Sequence, residues 1–188
     1  MVGVYSGAVI AGGLSRRFGE DKALYPYRGK PLIQWVLDSL QEAGERFIVA
    51  NRPYPGFGVP VYPDLLPGAD SLSGLHSALL HARYPWVAVA ATDLPFLRPE
   101  YWAFLYEHAL ASPYPVVVAY NPEGHLEPLM AFYHQDCLPQ VERQIREGDF
   151  LLRRVMEVLG ATYIPAEEVV VRFGAQVFLN ANRKEELP

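Results

Sequence analysis

Short, continuous apolar runs alternate along the chain with longer stretches whose apolar residues recur every three or four positions. Runs of the first kind read as buried strands, and stretches of the second as amphipathic helices. The pattern predicts strands over Tyr5–Ile10, Phe47–Ala50, Trp86–Ala91, Pro115–Ala119 and Leu129–Tyr133, with short ones at Val59–Tyr62, Thr162–Ile164 and Val177–Leu179. Pro31 sits where a helix would start. Leu32, Ile33, Val36, Leu37 and Leu40 then form one stripe running to about Ala43, and Gly44 follows as a stop. Further helices are expected over Leu75–Ala82, Pro99–Ala111, Leu138–Glu147 and Phe150–Leu159. The segment from Asn51 to Asp70 holds five prolines with Gly56, Gly58 and Gly68, so it reads as mostly loop. Alternation of this kind is the pattern of an α/β fold, three layers with a mainly parallel sheet in the middle. No internal repeat or low-complexity tract interrupts it, and one domain spanning residues 1–188 is expected.

Composition narrows the class. A single cysteine, Cys137, cannot form an internal disulfide, and no cluster has the spacing of zinc ligands. Cys137 and the scattered histidines are read as packing or surface residues, and no nucleophile elbow surrounds Ser15. The longest apolar run, Trp86–Ala91, falls far short of the roughly 20 residues a membrane span needs. No basic n-region precedes the first apolar stretch, so a cytoplasmic protein with no membrane partner is expected. The net charge of −5 argues against a protein that coats nucleic acid. That charge is unevenly spread. Between residues 12 and 30, Arg16, Arg17, Lys22, Arg28 and Lys30 face only Glu20 and Asp21, a local balance of +3 that leaves −8 for the remainder. A cationic patch on an acidic protein suits a small anionic ligand.

The patch sits on the segment with the most chemistry. The first predicted strand runs into Ala11-Gly12-Gly13, where adjacent glycines allow φ > 0 and turn N–H groups toward one point. Such a nest binds phosphate oxygens, and Arg16, Arg17 and Lys22 add full charges. Two glycines alone would read as an ordinary tight turn; the cations behind them favour the phosphate site. Neither Gly-x-x-x-x-Gly-Lys-[Ser/Thr] nor Gly-x-Gly-x-x-Gly is present, which argues against a P-loop and a dinucleotide-binding dehydrogenase.

The run Ala11-Gly12-Gly13-x-Ser15-x-Arg17-Phe18-Gly19-x-Asp21-Lys22, followed by Gly29-Lys30-Pro31-Leu32, resembles the signature of the nucleotidyltransferases built on a Rossmann-like sheet. Its Gly-x-Asp-Lys-Ala form resembles the molybdenum cofactor guanylyltransferase (MobA-type) branch. The resemblance continues through Val49-Ala50-Asn51-Arg52, Tyr62-Pro63-Asp64, Ser73-Gly74-Leu75, Thr92-Asp93-Leu94-Pro95, Glu127-Pro128-Leu129 and Phe178-Leu179-Asn180-Ala181-Asn182. It implies a nucleotide site of Ala11, Gly12, Gly13, Lys22, Asn51, Asp64, Gly74 and Asp93. Arg17, Lys22 and Asp93 would serve catalysis, with Asp93 holding Mg²⁺. On position alone Asp93, following a buried strand, fits a metal ligand and a turn residue before Pro95 equally well. Asp64 alone would read as a solvated turn residue; with the resemblance it becomes a contact to the nucleotide, its carboxylate suited to guanine's adjacent N1–H and N2–H donors. Asn180 and Asn182, which would share one face of a strand-like tail, are implied as acceptor contacts. Three positions depart from the family pattern. Val49 stands where an Asn is common, Asp70-Ser71-Leu72-Ser73-Gly74 replaces Gly-Pro-Leu-x-Gly, and Arg183-Lys184 follow Asn182 in place of Thr-Pro.

The expected reaction is transfer of GMP from Mg-GTP to molybdopterin, the N-terminal part of the domain binding nucleotide and the C-terminal part contributing the acceptor site. The product would be the guanine dinucleotide cofactor with pyrophosphate, and molybdenum cofactor delivery proteins would be further partners. The competing readings are a CTP-dependent molybdopterin cytidylyltransferase, a sugar- or polyol-phosphate nucleotidyltransferase, and a nucleotide-binding protein without catalysis.

Overall fold

The computed structural model of the chain describes residues 4–12, 21–181 and 187–188. β1 (Ser6–Ile10) is fully buried, as its unbroken apolarity requires. A short hairpin follows, β2 (Pro26–Tyr27) against β3 (Lys30–Pro31), absent from the periodicity because two residues carry no period. Its turn is made by Arg28 at φ 49° and Gly29 at φ 91°, the two-residue loop whose twist matches antiparallel strands. Pro31 then leads into α1 (Leu32–Ser39), its fixed φ suited to a helix start. The helix stops short of the expected Ala43, where the Ser39 hydroxyl donates back to the Val36 carbonyl at 2.6 Å. Gly44 donates its N–H to the Tyr5 carbonyl at 2.9 Å, delivering the chain to β4 (Glu45–Val49).

β5 (Val61–Tyr62) closes the proline-rich segment, and α2 (Ser71–His81) crosses to β6 (Trp86–Ala91). α3 (Pro99–Ala111), β7 (Val116–Ala119), β8 (Met130–His134), α4 (Leu138–Glu147) and α5 (Leu152–Leu159) follow close to expectation. The start of α5 is displaced because Gln144 Nε2 donates to the carbonyls of Asp149 and Leu151, holding that stretch as a loop.

After β9 (Thr162–Ile164) the tail differs from the prediction. α6 (Ala166–Phe173) was not expected, and Val177–Leu179 is not a strand: Ala175–Phe178 form a single 3₁₀ turn. Three consecutive valines hide the helical period: Val169 is fully buried, Val170 packs partly against the core, and Val171 is exposed. Glu167 and Glu168 in the first turn favour the helix dipole, and Gly174 at φ 80° ends it. Asn180 therefore lies in irregular chain, not on a strand face.

Seven strands form one sheet in the order β5–β4–β1–β6–β8–β7–β9. Every neighbouring pair is parallel except the two that involve β8. Alternation along each strand divides the apolar residues between two faces. Val9, Ile48, Ala88 and Phe132 pack with Ile33 and Leu37 of α1, Trp102 of α3 and Val169 of α6. Ala8, Phe47, Val87 and Tyr133 pack with Leu75 of α2, Val141 of α4 and Val155 of α5. The result is the three-layer α/β architecture with a mainly parallel sheet. Among the described residues no helix is long and apolar enough to cross a membrane.

Candidate active site

The chain leaves β1 toward β4 on one side and returns to β6 on the other, so β1 is where the strand order reverses. In open α/β sheets the crevice outside the carboxyl ends of such strands is where ligands bind. A cavity of about 420 Å³ lies there, lined from β1 by Ile10 and Gly12, from β4 by Val49 and Asn51, from β5's loop by Asp64, and from β6 by Thr92 and Asp93. Lys22, Asp70 and Gly74 complete much of the wall. Two larger hollows, of about 670 and 680 Å³, line the proline-rich loop and the α6 edge, and neither brings a cation and a carboxylate together.

The centre of the crevice is an ion pair. Lys22 Nζ donates to Asp93 Oδ2 at 3.1 Å, with side chains only 20% and 15% exposed. Lys22 opens a 3₁₀ turn, Lys22–Leu24, capped by Asp21, whose Oδ1 accepts from the Ala23 N–H at 3.1 Å. The other oxygen of Asp21 accepts from the Tyr54 hydroxyl at 2.9 Å and from Arg52 Nη1 at 3.2 Å. Burial raises the Tyr54 pKa, and its hydrogen bond to the Asp21 carboxylate raises it further. Asp21, Arg52 and Tyr54 thus anchor the segment that carries Lys22. In the sequence, Asp21 is visible only as a letter of the motif, while Arg52 and Tyr54 lie about 30 residues further on and carry no signal of this contact.

The glycines work differently from expectation. Gly12 is not among the residues with positive φ; it lines the cavity, and nothing lies within 4 Å of where its Cβ would be. Open space over bare backbone, not left-handed geometry, is what Gly12 supplies at the cavity wall. Ala11 cannot contribute its N–H to a phosphate nest, because that group already donates to the Val49 carbonyl at 2.9 Å, extending the β1–β4 pairing. Gly74 is demanded by packing, since a Cβ there would sit 2.6 Å from Ile10 Cγ2. The same absence lets α2 lie close beneath the cavity. Gly13 and Arg17 lie outside the described residues, as does Asn182.

Asn51 and Asp64 clasp one another. Asn51 Nδ2 donates to Asp64 Oδ2 and the Asp64 N–H donates to Asn51 Oδ1, both at 2.9 Å. The pair closes the proline-rich loop onto the end of β4, leaving the second Asp64 carboxylate oxygen outside the clasp. Asp70, at the start of α2, holds φ 51° and ψ −129° without a side-chain capping bond, a backbone normally left to glycine.

The Ala181 N–H donates to the Asp93 carbonyl at 2.8 Å, which ties the tail next to Asn180 to the end of β6, while Asn180 is not among the residues that line the cavity. On the β8 side Glu127 stands near Asp93, with Asn121 Nδ2 donating to its Oε1 at 2.8 Å. The basic stretch itself divides. Lys30 pairs with Asp38 and lies 3.9 Å from the centre of the Trp35 ring, so it packs the hairpin onto α1. Arg28 lies over Tyr27 and Phe96. Among the described cations of that stretch, Lys22 alone lines the cavity.

The three-layer, mainly parallel sheet with its crevice at the switch point of strand order is the fold of the nucleotidyltransferases, and the family model and relatives show that the chain is one of them. The chain belongs to the MobA-like NTP transferase family, whose model matches residues 7–166. A probable molybdenum cofactor guanylyltransferase of Deinococcus radiodurans is 38% identical over 96% of this chain and 90% of its own length. One from Pyrococcus furiosus is 34% identical over 96% and 93%. Among solved structures, the molybdopterin-guanine dinucleotide biosynthesis protein A of Archaeoglobus fulgidus superposes with a TM-score of 0.84 at 28% identity, covering 97% of this chain and 94% of that one. The 2-C-methyl-D-erythritol 4-phosphate cytidylyltransferase of Thermus thermophilus shares the fold alone, with a TM-score of 0.71 at 17% identity, covering 98% and 96%.

Proposed function

We propose that this nucleotidyltransferase moves GMP from Mg-GTP to the terminal phosphate of molybdopterin, giving the guanine dinucleotide form and pyrophosphate, with both halves of the site on one domain. The Lys22–Asp93 pair at the mouth of the parallel sheet is the observation that carries this reading. The relatives named as guanylyltransferases support the choice of base and acceptor.

An oxygen of the acceptor phosphate bonds to the α-phosphorus of GTP as the bond from that phosphorus to the leaving oxygen breaks, and pyrophosphate departs with the electron pair. The acceptor is already an anion, so no side chain has to remove a proton. Alignment and charge stabilisation supply the rate. Gly12 admits the phosphate chain to the end of β1, and the family signature gives Gly13 the same phosphate-binding role. Lys22 and Arg17 stabilise charge on the α-phosphate and the leaving group. Asp64, through the oxygen outside its clasp with Asn51, accepts from the base edge. Asn180 and Asn182 seat the acceptor.

The donor set fits Mg²⁺. Asp93 offers one hard carboxylate, and the described residues hold no group of three possible ligands that would build a cage from protein alone. Magnesium is held in this manner, by one or two carboxylates with the remaining positions taken by phosphate oxygens and water. When bound, it neutralises the triphosphate and the departing pyrophosphate. Asp93 would hold the metal, and Lys22 beside it would meet the phosphates.

Pyrophosphate release from GTP and from CTP, with and without molybdopterin, tests the reading. Release with GTP only when the acceptor is present is expected. Release with CTP and not GTP would move the chain to the cytidylyl reaction, and nucleotide binding without release would refute catalysis. Asp64→Ala is expected to weaken GTP binding and erode the preference over CTP; an unchanged ratio would remove Asp64 from the base site.

A further inference from the structure

Glu127 carries a charge that the fold does not need. It lies half-buried at the start of the turn into β8, in the Glu127-Pro128-Leu129 run, its N–H donating to the Ala119 carbonyl at 3.0 Å. Its one side-chain hydrogen bond among the described residues comes from Asn121, and it forms no ion pair there. Burial pushes its pKa up; the Asn121 hydrogen bond and, more weakly, His125 draw it back, while the carboxylates of Asp93 and Glu123 raise it further. A carboxylate kept half out of water beside other carboxylates, with a single neutral hydrogen-bond donor and only the weak pull of His125 in its favour, works against folding. Glutamine would accept the same Asn121 bond without that penalty.

The surroundings of Glu127 are nonetheless built to hold it in one place. Asn121 Oδ1 accepts from the backbone N–H groups of Glu123 and His125 at 3.0 Å each, which fixes the amide that points at Glu127. Tyr120 and Leu126 form a bridge across the same loop. Preorganised polar side chains that lower stability are characteristic of ligand sites.

Position identifies which ligand. Leu129 lines the nucleotide cavity beside Asp93, but Glu127 does not. The antiparallel β6–β8 register, with Ala90 opposite Met130 and the Ala91 N–H donating to the Leu129 carbonyl at 2.9 Å, carries Glu127 toward Asp93 just beyond the strand ends, and its charge raises the pKa of the buried Tyr101. The Ala181 N–H on the Asp93 carbonyl brings the tail with Asn180 to Asp93 as well. Glu127 and the tail therefore converge on Asp93 beside the nucleotide cavity, one from the β8 side and the other from the C-terminal side, and Asn121 bonds only Oε1 of Glu127.

We propose that Glu127 is a specificity-determining residue for the acceptor, accepting paired N–H groups of its heterocycle. Resting on the transfer to molybdopterin proposed above, the groups concerned are the ring N–H and adjacent amino group of the pterin's aminopyrimidinone edge. Two parallel donors on one carboxylate form a charge-assisted bidentate pair. Glutamine presents an N–H where an acceptor is required and disrupts that match.

Steady-state kinetics and thermal unfolding of the full chain and its E127Q variant test this. E127Q is expected to raise the KM for molybdopterin about tenfold or more, a change on the scale of one charged hydrogen bond. The KM for GTP should stay within about twofold, and Tm should be equal or higher, because a half-buried charge has been removed. A structural role predicts the opposite, a lower Tm with both KM values moved. An unchanged molybdopterin KM overturns the proposal, as does a loss of Mn²⁺ affinity in the GTP complex with the acceptor KM intact, which would make Glu127 a metal carboxylate. A wild-type protein that releases no pyrophosphate from GTP with molybdopterin refutes the transfer reading itself, whatever E127Q does.

Discussion

Lys22 and Lys30 are eight residues apart in one basic stretch, yet they do different work. Lys30 packs against Trp35 and pairs with Asp38, whereas Lys22 pairs with Asp93 across the mouth of the sheet. Replacing Lys22 with methionine is expected to lower kcat by roughly a hundredfold or more, the scale of losing one preorganised charge stabiliser. The same change leaves Asp93 without its cation, so Mn²⁺ should bind the nucleotide-free variant more tightly than wild type, as read by paramagnetic resonance of free Mn²⁺. Normal turnover would remove Lys22 from the mechanism. Its candidacy was legible from Gly-x-Asp-Lys, but the pairing with Asp93 was not, because residues 71 positions apart show no contact signal in a single sequence.

At the scale of elements, the hairpin and α1 form one unit. Asp38 is drawn two ways: burial alone would raise its pKa, but hydrogen bonds from Lys30 and Gln34 and the charges of Lys30 and Arg46 hold it below the usual value. A lowered carboxylate pKa stabilises the fold above the unfolded pKa, and that contribution is lost as pH falls through the folded one. The Tm difference between wild type and Asp38→Asn should therefore be present at neutral pH and vanish in acid. Lys30→Ala should lower Tm while leaving kcat unchanged, which separates the hairpin's packing from the crevice. Neither the hairpin nor α6 was legible beforehand: one is too short to show a period, and the other hides its period behind Val169–Val171. The long buried strands were legible because six apolar residues in a row, as in Trp86–Ala91, leave few alternatives.

Across the whole molecule, the two faces of the sheet are closed by helices on both sides, and Cys137 lies within the layer of α2, α4 and α5 with no exposure. Burial pushes its thiol pKa up to about 12, against a smaller lowering by a backbone hydrogen bond. The native protein should therefore resist alkylation near pH 8 and react only on global opening, so iodoacetamide labelling against urea should trace the same transition as circular dichroism. Labelling that runs well ahead of unfolding would mean this layer opens on its own.

What the amino-acid order determined by itself was the period of its apolar residues and the local chemistry of its glycine loop. Together these predicted an α/β fold, an anionic ligand and the family signature, because both are written in neighbouring residues. Which groups meet was decided only by the tertiary structure. The parallel sheet gathers the ends of β1, β4, β5 and β6, so Lys22 finds Asp93, Asn51 clasps Asp64, and Gly74 yields room to Ile10. It also gave local features other partners: the Ala11 N–H pairs with β4, Gly12 has no left-handed backbone, and Lys30 packs onto α1. The +3 stretch contributes one described cation to the cavity, and the acidic remainder contributes the carboxylates that face it. Charge along a chain is local, but a site is made by the strand order that brings distant ends to one edge.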